Sequence, residues 1–445
     1  VNAHRRLAAT AVVAVVAVGA AVYLVSTSTN ESDVPSVATA TAPGAVWTVD
    51  ASDVLENEFA TFEDPVGGRY GEVFGGVVDA GDVLVAEAGL TNQDSKKFER
   101  AEFVGIDAAS GAVRWTTPAD GTGRCSTALL DGKILCRSDS DVVTIDPGDG
   151  ELTRYGTRWN IHGVGTDGTD VYVVEGDPDG YTVRVHSGSL SDLDENWTTT
   201  YDNTWVDSTT FGDIVQFAGG VGVGVGGGVG VARFTSGTAV FDAGTGAAVD
   251  TFDSPDCARS RELRDGDAFF VIGRRCSDLF EFRTDLVDSA SNVIATANEE
   301  VWQRLSVDNS RAGDPVLFDG KAYDPRTGAQ LWEFDEESPV SDLAIIDGVV
   351  MWMYGPARDL RTGAILWEPD VEQQSVLPTA AYDGSAYTVG WQDILVIDPA
   401  TGHRRASVSL DGLLGNTGGR SEQVALQETG AGVLVVNESR LNLIR

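Results

Sequence analysis

Lysine is almost missing from this 445-residue chain. Lys96, Lys97, Lys133 and Lys321 are all there are, and with arginine they make 31 basic residues against 68 acidic ones. The resulting formal charge of -37 repels phosphate backbones and anionic head groups, which excludes nucleic acid as a partner. Part of the acid is turn chemistry, because Asp-Gly dipeptides recur at 131–132, 265–266, 319–320, 347–348 and 383–384. Histidine is equally scarce. His4, His162, His186 and His403 show no metal-ligand spacing, and no GxSxG elbow occurs, so neither a zinc site nor a serine nucleophile is written in the chain. The four cysteines include no CxxC pair, which argues against a thiolate metal centre.

Long apolar runs are missing too, with one exception. Residues 7–25, LAATAVVAVVAVGAAVYLV, carry no charge and would span ~28 Å as a helix, close to a bilayer core. Arg5 and Arg6 precede the run while Glu31 and Asp33 follow it. The positive-inside rule therefore keeps residues 1–6 in the cytoplasm and places the rest outside a plasma membrane crossed once. A cleaved signal peptide is the alternative, since Ala38-Thr39-Ala40 resembles a cleavage site. That site lies 13 residues beyond the run, which favours an uncleaved anchor. Residues 26–44, rich in Ser and Thr with Pro35 and Pro43, read as a disordered tether.

An oxidising compartment turns the cysteines into disulfide candidates. Counted outward from a turn at 266–267, Cys257 falls opposite Cys276. About the Asp131-Gly132 turn, Cys125 and Cys136 lie within one diagonal step, which a bulge can absorb.

After residue 44 one pattern keeps returning: Asp, two variable positions, Ser, Thr or Asp, then Gly, with Trp four residues later in the strongest copies. It reads Asp107 to Gly111 with Trp115, Asp324 to Gly328 with Trp332, and Asp359 to Gly363 with Trp367; copies at Asp146, Asp242 and Asp398 lack the Trp. Successive turn glycines stand 35 to 39 residues apart at 111 and 150, at 328 and 363, and at 363 and 402, the period of a propeller blade of four short strands.

The Asp-x-x-Thr-Gly-x-x-x-Trp pattern resembles the PQQ-like repeat of quinoprotein-type β-propellers, in a membrane-anchored bacterial form. The resemblance implies an all-β propeller of four-stranded antiparallel blades over 45–445, with Trp47, Trp115, Trp332 and Trp367 docking on neighbouring blades and Gly111, Gly328 and Gly363 shaping the turns. Gly44-Ala-Val-Trp47-Thr echoes Gly111-Ala-Val-Arg-Trp115-Thr, so residues 45–50 are expected to pair with 423–445 and leave no free sheet edge. Candidate units allow up to nine blades. Eight are expected, with a degenerate stretch around Val185 to Trp197 or Asp278 to Trp302 merging into a neighbour; seven and nine stay open.

Chemistry is harder to find than architecture. Quinone-dependent members of the family hold their cofactor under a vicinal cysteine pair, and no two cysteines are adjacent here. The GxGxxG match within 219–230 runs into Val231-Ala-Arg-Phe234, a strand pattern rather than a phosphate-cradling helix. Asp177-Pro-Asp179-Gly180 lacks the remaining ligands of a calcium loop. The expectation is an anchored extracytoplasmic propeller without catalytic, cofactor or metal residues. It would act as a monomeric binding or scaffolding module for a protein, peptide or cell-envelope ligand. A degenerate quinoprotein oxidoreductase and the sensor component of a signalling system are the alternatives.

Overall fold

Asp-Gly dipeptides become hairpin turns between short strands. Leu129–Leu130 and Lys133–Arg137 flank Asp131-Gly132, Asp342–Ile346 and Val349–Trp352 flank Asp347-Gly348, and Ala380–Tyr382 and Ser385–Val389 flank Asp383-Gly384. Both turn residues take left-handed backbone angles, Asp131 at φ 48° and Gly132 at φ 79°, the type I′ geometry whose twist matches the flanking strands. The computed structural model describes residues 44–445 apart from 64, 66–75, 92–97, 178–179, 205–215, 218–219, 222, 227, 235–236, 251–256, 266–268, 277–281, 289–291, 299–303, 312, 335–341, 354, 370–376 and 416–423. The expected tail, membrane helix and tether through residue 43 lie outside the described residues. Among those described, no helix is long and apolar enough to cross a membrane.

The architecture is all-β. Most sheets are four-stranded antiparallel meanders, such as Ala380–Tyr382, Ser385–Val389, Asp393–Ile397 and Arg404–Ser409. Alternation along each strand sends successive side chains to opposite neighbours. Val433 and Val435 pack with Tyr387 and Ile394 of the preceding sheet, while Leu434 and Val436 pack with Phe62 and Leu84 of the following one. Both faces of a strand are thus buried, which is why these strands read as continuous apolar runs. Sheet follows sheet through such shared cores, and Gly237–Asp242 lies against Cys257–Asp265 where the next sheet begins. Four-stranded units stacked face to face in chain order are the construction of a β-propeller.

The described residues form nine sheets, where eight blades were expected. The stretch around Val185 to Trp197 lies in a six-stranded sheet, extended at Asn160–Thr166 by the short strands Gly220–Val221 and Gln216–Phe217, whereas the stretch that includes Phe282–Asp288 lies in a four-stranded one. Thr182–Ser189 and Asp192–Asp202 form a long hairpin in one sheet, and Phe282–Asp288 with Val293–Ala297 complete another begun by Cys257–Asp265 and Phe269–Cys276. These stretches lack the signature turn but keep the strand pattern, and hydrophobic alternation is what builds a sheet. A second irregular unit lies further along the chain. Val316–Phe318, Lys321–Tyr323 and Gln330–Glu333 make a three-stranded sheet, and the strand before it, Arg304–Asp308, runs parallel to Asp342–Ile346 of the next.

One sheet joins the two ends of the described chain. Trp47–Asp50 is its outer strand, antiparallel to Arg440–Ile444 with Trp47 opposite Leu443, followed inward by Gly432–Asn437 and Ala425–Thr429. Thr48 Oγ1 donates to Asn442 Oδ1 at 2.8 Å, and Arg440 Nε donates to Asp50 Oδ1 at 2.5 Å.

A disulfide links Cys125 and Cys136. Cys125 precedes the first strand of its sheet, held by a bridge between Gly123 and Arg137 and by the Ser126 amide donating to Leu135 O. Cys257 and Cys276 are register partners, brought opposite each other by a bulge between Cys257 and Ser260. In the Gly-Val stretch, Val223 and Val225 are buried against Tyr172 and Val174, and strand Val223–Gly226 turns into strand Val229–Phe234.

Candidate interaction surface

Each repeat carries two kinds of strand end, and their chemistry differs. At one end lies the signature turn between third and outer strands. Its Asp accepts from the turn's own amides, Asp359 Oδ1 from Thr362 N at 2.8 Å and Asp107 Oδ1 from Ser110 N at 2.8 Å. The Ser110 hydroxyl and the Arg114 guanidinium beside it hold the Asp107 carboxyl down to about 2.

Just behind these turns the tryptophans dock. Trp47 Nε1 donates to Ala108 O, Trp115 to Pro147 O, Trp332 to Leu360 O and Trp367 to Pro399 O, at 2.7 to 3.0 Å. In every case the acceptor is the residue directly after the signature Asp of the next sheet. The indole lies over that sheet's turn glycine. A Cβ on Gly111 would stand 2.7 Å from Trp47, and one on Gly363 2.7 Å from Trp332. Glycine is therefore required twice, for its positive φ (73° and 70°) and for the ring's approach. Trp47 and Trp115 are buried at 3% and 6% exposure. Trp332 and Trp367 are only half-buried, less than a fully enclosed repeat implies.

Two elements of this pattern escaped the sequence reading. Trp197, within a stretch expected to be degenerate, docks like the others, its Nε1 donating to Ala243 O at 2.9 Å with Gly246 beneath the ring. The legible signal was the threonine two residues on. Thr199 Oγ1 donates to Gly246 O as Thr117 Oγ1 donates to Gly150 O, so the Trp-Thr-Thr shared by Trp115 and Trp197 links these two outer strands. Gly328 faces Ile294 instead of an indole, an aliphatic substitute that a search for Trp cannot find.

The opposite strand ends, formed by turns between second and third strands and by connections from one sheet to the next, are different. Trp391, Tyr181 and Phe59 are 80%, 68% and 75% exposed, and all three lie there, with Met353 on an equivalent turn. The other exposed large apolar residues described, Val46, Val293, Leu331, Ile365 and Leu366, belong to or adjoin outer strands. Val293 and Ile365 open outer strands directly after such turns, so among the described residues the Asp-turn ends carry exposed aliphatic side chains but no exposed Phe, Tyr or Trp.

A groove of about 600 Å³ opens at this aromatic-bearing end, between two consecutive sheets. Arg100 and Glu102 come from the third strand of one sheet, Asp120 and Arg124 from the connection, and Arg137 and Asp139 from the next sheet. Arg137 Nη1 donates to Ile161 O at 2.9 Å. Its Nε is sealed from solvent with no acceptor. Burial, helped by the nearby Arg124, pushes its guanidinium down to about 10.

The histidines among the described residues form no common site. His162 lies in strand Asn160–Thr166, its imidazole pushed down by burial and by Arg137, and His403 follows a signature turn. His186 is buried, its Nδ1 2.9 Å from Leu193 O and its Nε2 3.7 Å from the buried Glu175 Oε1. Burial alone would raise the Glu175 carboxyl, but His186 and Arg184 beside it outweigh that and hold it low. This polar cluster ties adjacent strands of one sheet; Arg184 Nε donates to Glu175 Oε2 at 3.0 Å. Part of the Asp177 to Gly180 turn lies outside the described residues.

No curated protein matches the chain. Among solved structures it is similar to the computationally designed Ika8 protein, at 16% identity over 70% of this chain and 93% of that one with a TM-score of 0.34. It is also similar to apo AztD from Citrobacter koseri, at 13% identity over 76% and 86% with a TM-score of 0.38. Sqt1 of Saccharomyces cerevisiae gives 10% identity over 86% and 98% with a TM-score of 0.38. Scores this low carry no argument. The family model described as outer membrane protein assembly factor BamB matches residues 30–190, the stretch that holds Trp47, Trp115, Gly111, Gly150 and the Cys125–Cys136 disulfide, and over those residues the chain is similar to that family's PQQ-like repeats.

Proposed function

We propose that the whole chain is a membrane-anchored PQQ-like propeller of a bacterial envelope, acting outside the cytoplasm as a non-catalytic binding or scaffolding module for a protein partner. One observation carries this reading. The exposed aromatics Phe59, Tyr181 and Trp391 all sit on turns at one end of the strands, whereas the other end is built from self-capped Asp turns. Large aromatic side chains left in water at one surface are the usual anchors of a protein interface. The matching family is described as an assembly factor, which supports a protein as the partner. The Cys125–Cys136 disulfide supports an oxidising compartment, and the uncharged run at 7–25 supports a helical anchor.

Site-specific photo-crosslinking in native membranes tests the proposal. A photoreactive residue at position 391 is expected to give a discrete protein adduct, weakened by Phe59→Ser and Tyr181→Ser in the same chain. The same probe at position 149, on an Asp turn, is expected to give none. Equal adducts from both positions, or none from 391, would remove the basis for a one-sided docking surface.

A further inference from the structure

The groove beside the disulfide holds a guanidinium, Arg137, with no ion-pair partner among the described residues. Arg137 spends Nη1 on a backbone carbonyl and leaves Nε buried without an acceptor. No carboxylate lies within salt-bridge distance of it among the described ion pairs, although the chain as a whole carries 68 acidic residues. A largely desolvated guanidinium held by one backbone carbonyl and no carboxylate is costly in a folded protein, and an anion entering the groove it lines would balance its charge.

The surroundings narrow the class of anion. Glu87, Glu102, Asp120 and Asp139 line the same groove; Glu87 is buried, and Asp120 and Asp139 are exposed. They repel a dianion such as phosphate more strongly than a single negative charge, and they can accept from amide or ammonium donors. A volume of about 600 Å³ suits a few residues of peptide. We propose that this groove binds the carboxylate terminus of a short peptide, with Arg137 as the anchor, Arg100 at the exposed mouth attracting the carboxylate, and the groove's acids facing the peptide's donors. Guanidinium is well matched to this task, since its planar fork meets a carboxylate through parallel hydrogen bonds.

Calorimetric titration of the full-length protein, at fixed ionic strength in chloride, tests this with four probes: tri-alanine, its N-acetyl form, its C-terminal amide, and inorganic phosphate. Tri-alanine and the N-acetyl form are expected to bind, and the amide at least tenfold more weakly. Arg137→Gln is expected to lose at least tenfold for tri-alanine, with Arg137→Lys recovering part. Should Arg137→Gln fail to fold, Arg100→Gln, at an exposed position, is expected to weaken tri-alanine severalfold while leaving the thermal midpoint unchanged. Equal binding of acid and amide, tri-alanine binding insensitive to both arginines, binding of phosphate alone, or no binding of any probe would each overturn the proposal. None of these readouts depends on the crosslink at position 391, so the groove and the aromatic surface can fail separately.

Discussion

Glycine at the fourth position after the signature Asp is a steric requirement as much as a turn preference. At Gly150 the backbone sits at φ 76°, and an added Cβ would stand 2.4 Å from Trp115. Gly150→Ala combines left-handed strain of roughly 1–2 kcal/mol with overpacking of roughly 1–3 kcal/mol. Gly121 has nearly the same φ, 75°, with open space around it, so Gly121→Ala isolates the backbone part. Urea denaturation is expected to rank Gly150→Ala clearly below Gly121→Ala. Equal losses would mean that the indole does not rest on the glycine. The Asp of the same turn offers a second residue-level test. Its ordinary value is near 3.8 and Asp107 is held at about 2, so the folded form favours the charged state. The stability this contributes is complete above pH ~4 and is lost as the pH falls toward 2. Thermal melts between pH 5 and pH 2 should show a shallower acid decline for Asp107→Asn than for the parent; parallel declines would assign the acid sensitivity elsewhere.

At the scale of strands and turns, the sequence was most readable where one residue type serves one geometric need. Asp-Gly fixes a type I′ hairpin and Asp-x-x-Thr-Gly fixes the outer turn, so both could be placed without coordinates. What could not be placed were elements whose geometry survives substitution. Ile294 fills the space of an indole over Gly328, and the Thr182–Ser189 and Asp192–Asp202 hairpin closes through Ser189 and Asp192 without the signature. The groove was illegible because Glu102, Asp120 and Arg137 meet only once two sheets are packed. The register about the second cysteine hairpin differs by one from the count about 266–267, since Asp265 pairs with Phe269. A bulge offsets pairing near Ser260 and leaves Cys257 opposite Cys276. A disulfide between them is expected, and non-reducing peptide mapping should recover a Cys257–Cys276 fragment pair beside the Cys125–Cys136 pair. Recovery of Cys257 as a free thiol would contradict it. Removing the Cys125–Cys136 bond by a double Ser substitution should cost roughly 2–3 kcal/mol, as expected for a short closed loop.

For the molecule as a whole, stability hinges on one sheet assembled from both ends of the described chain. Trp47–Asp50 covers the edge of Arg440–Ile444, and its side chains reach in both directions: Trp47 to Ala108 O of the following sheet, Thr48 to the buried Asn442, and Asp50 to Arg440. Asn442 already has its amide nitrogen without a partner, so losing Thr48 strips the side chain of its remaining bond, a change worth roughly 1–3 kcal/mol for a buried polar group. Deleting residues 45–50 would add an uncovered strand edge and a void over Gly111 where the indole rests. That deletion is expected to lower the thermal midpoint by well over 10 °C and to produce aggregates visible by light scattering. Shortening 26–40, the stretch expected from sequence to be a tether, is expected to leave the midpoint unchanged. The intermediate variant Thr48→Val keeps the strand and removes the bond to Asn442, so it should fall between the two. If the 45–50 deletion melted like the parent, the fold would not depend on joining its ends, and its closure would have to come from packing between the remaining sheets.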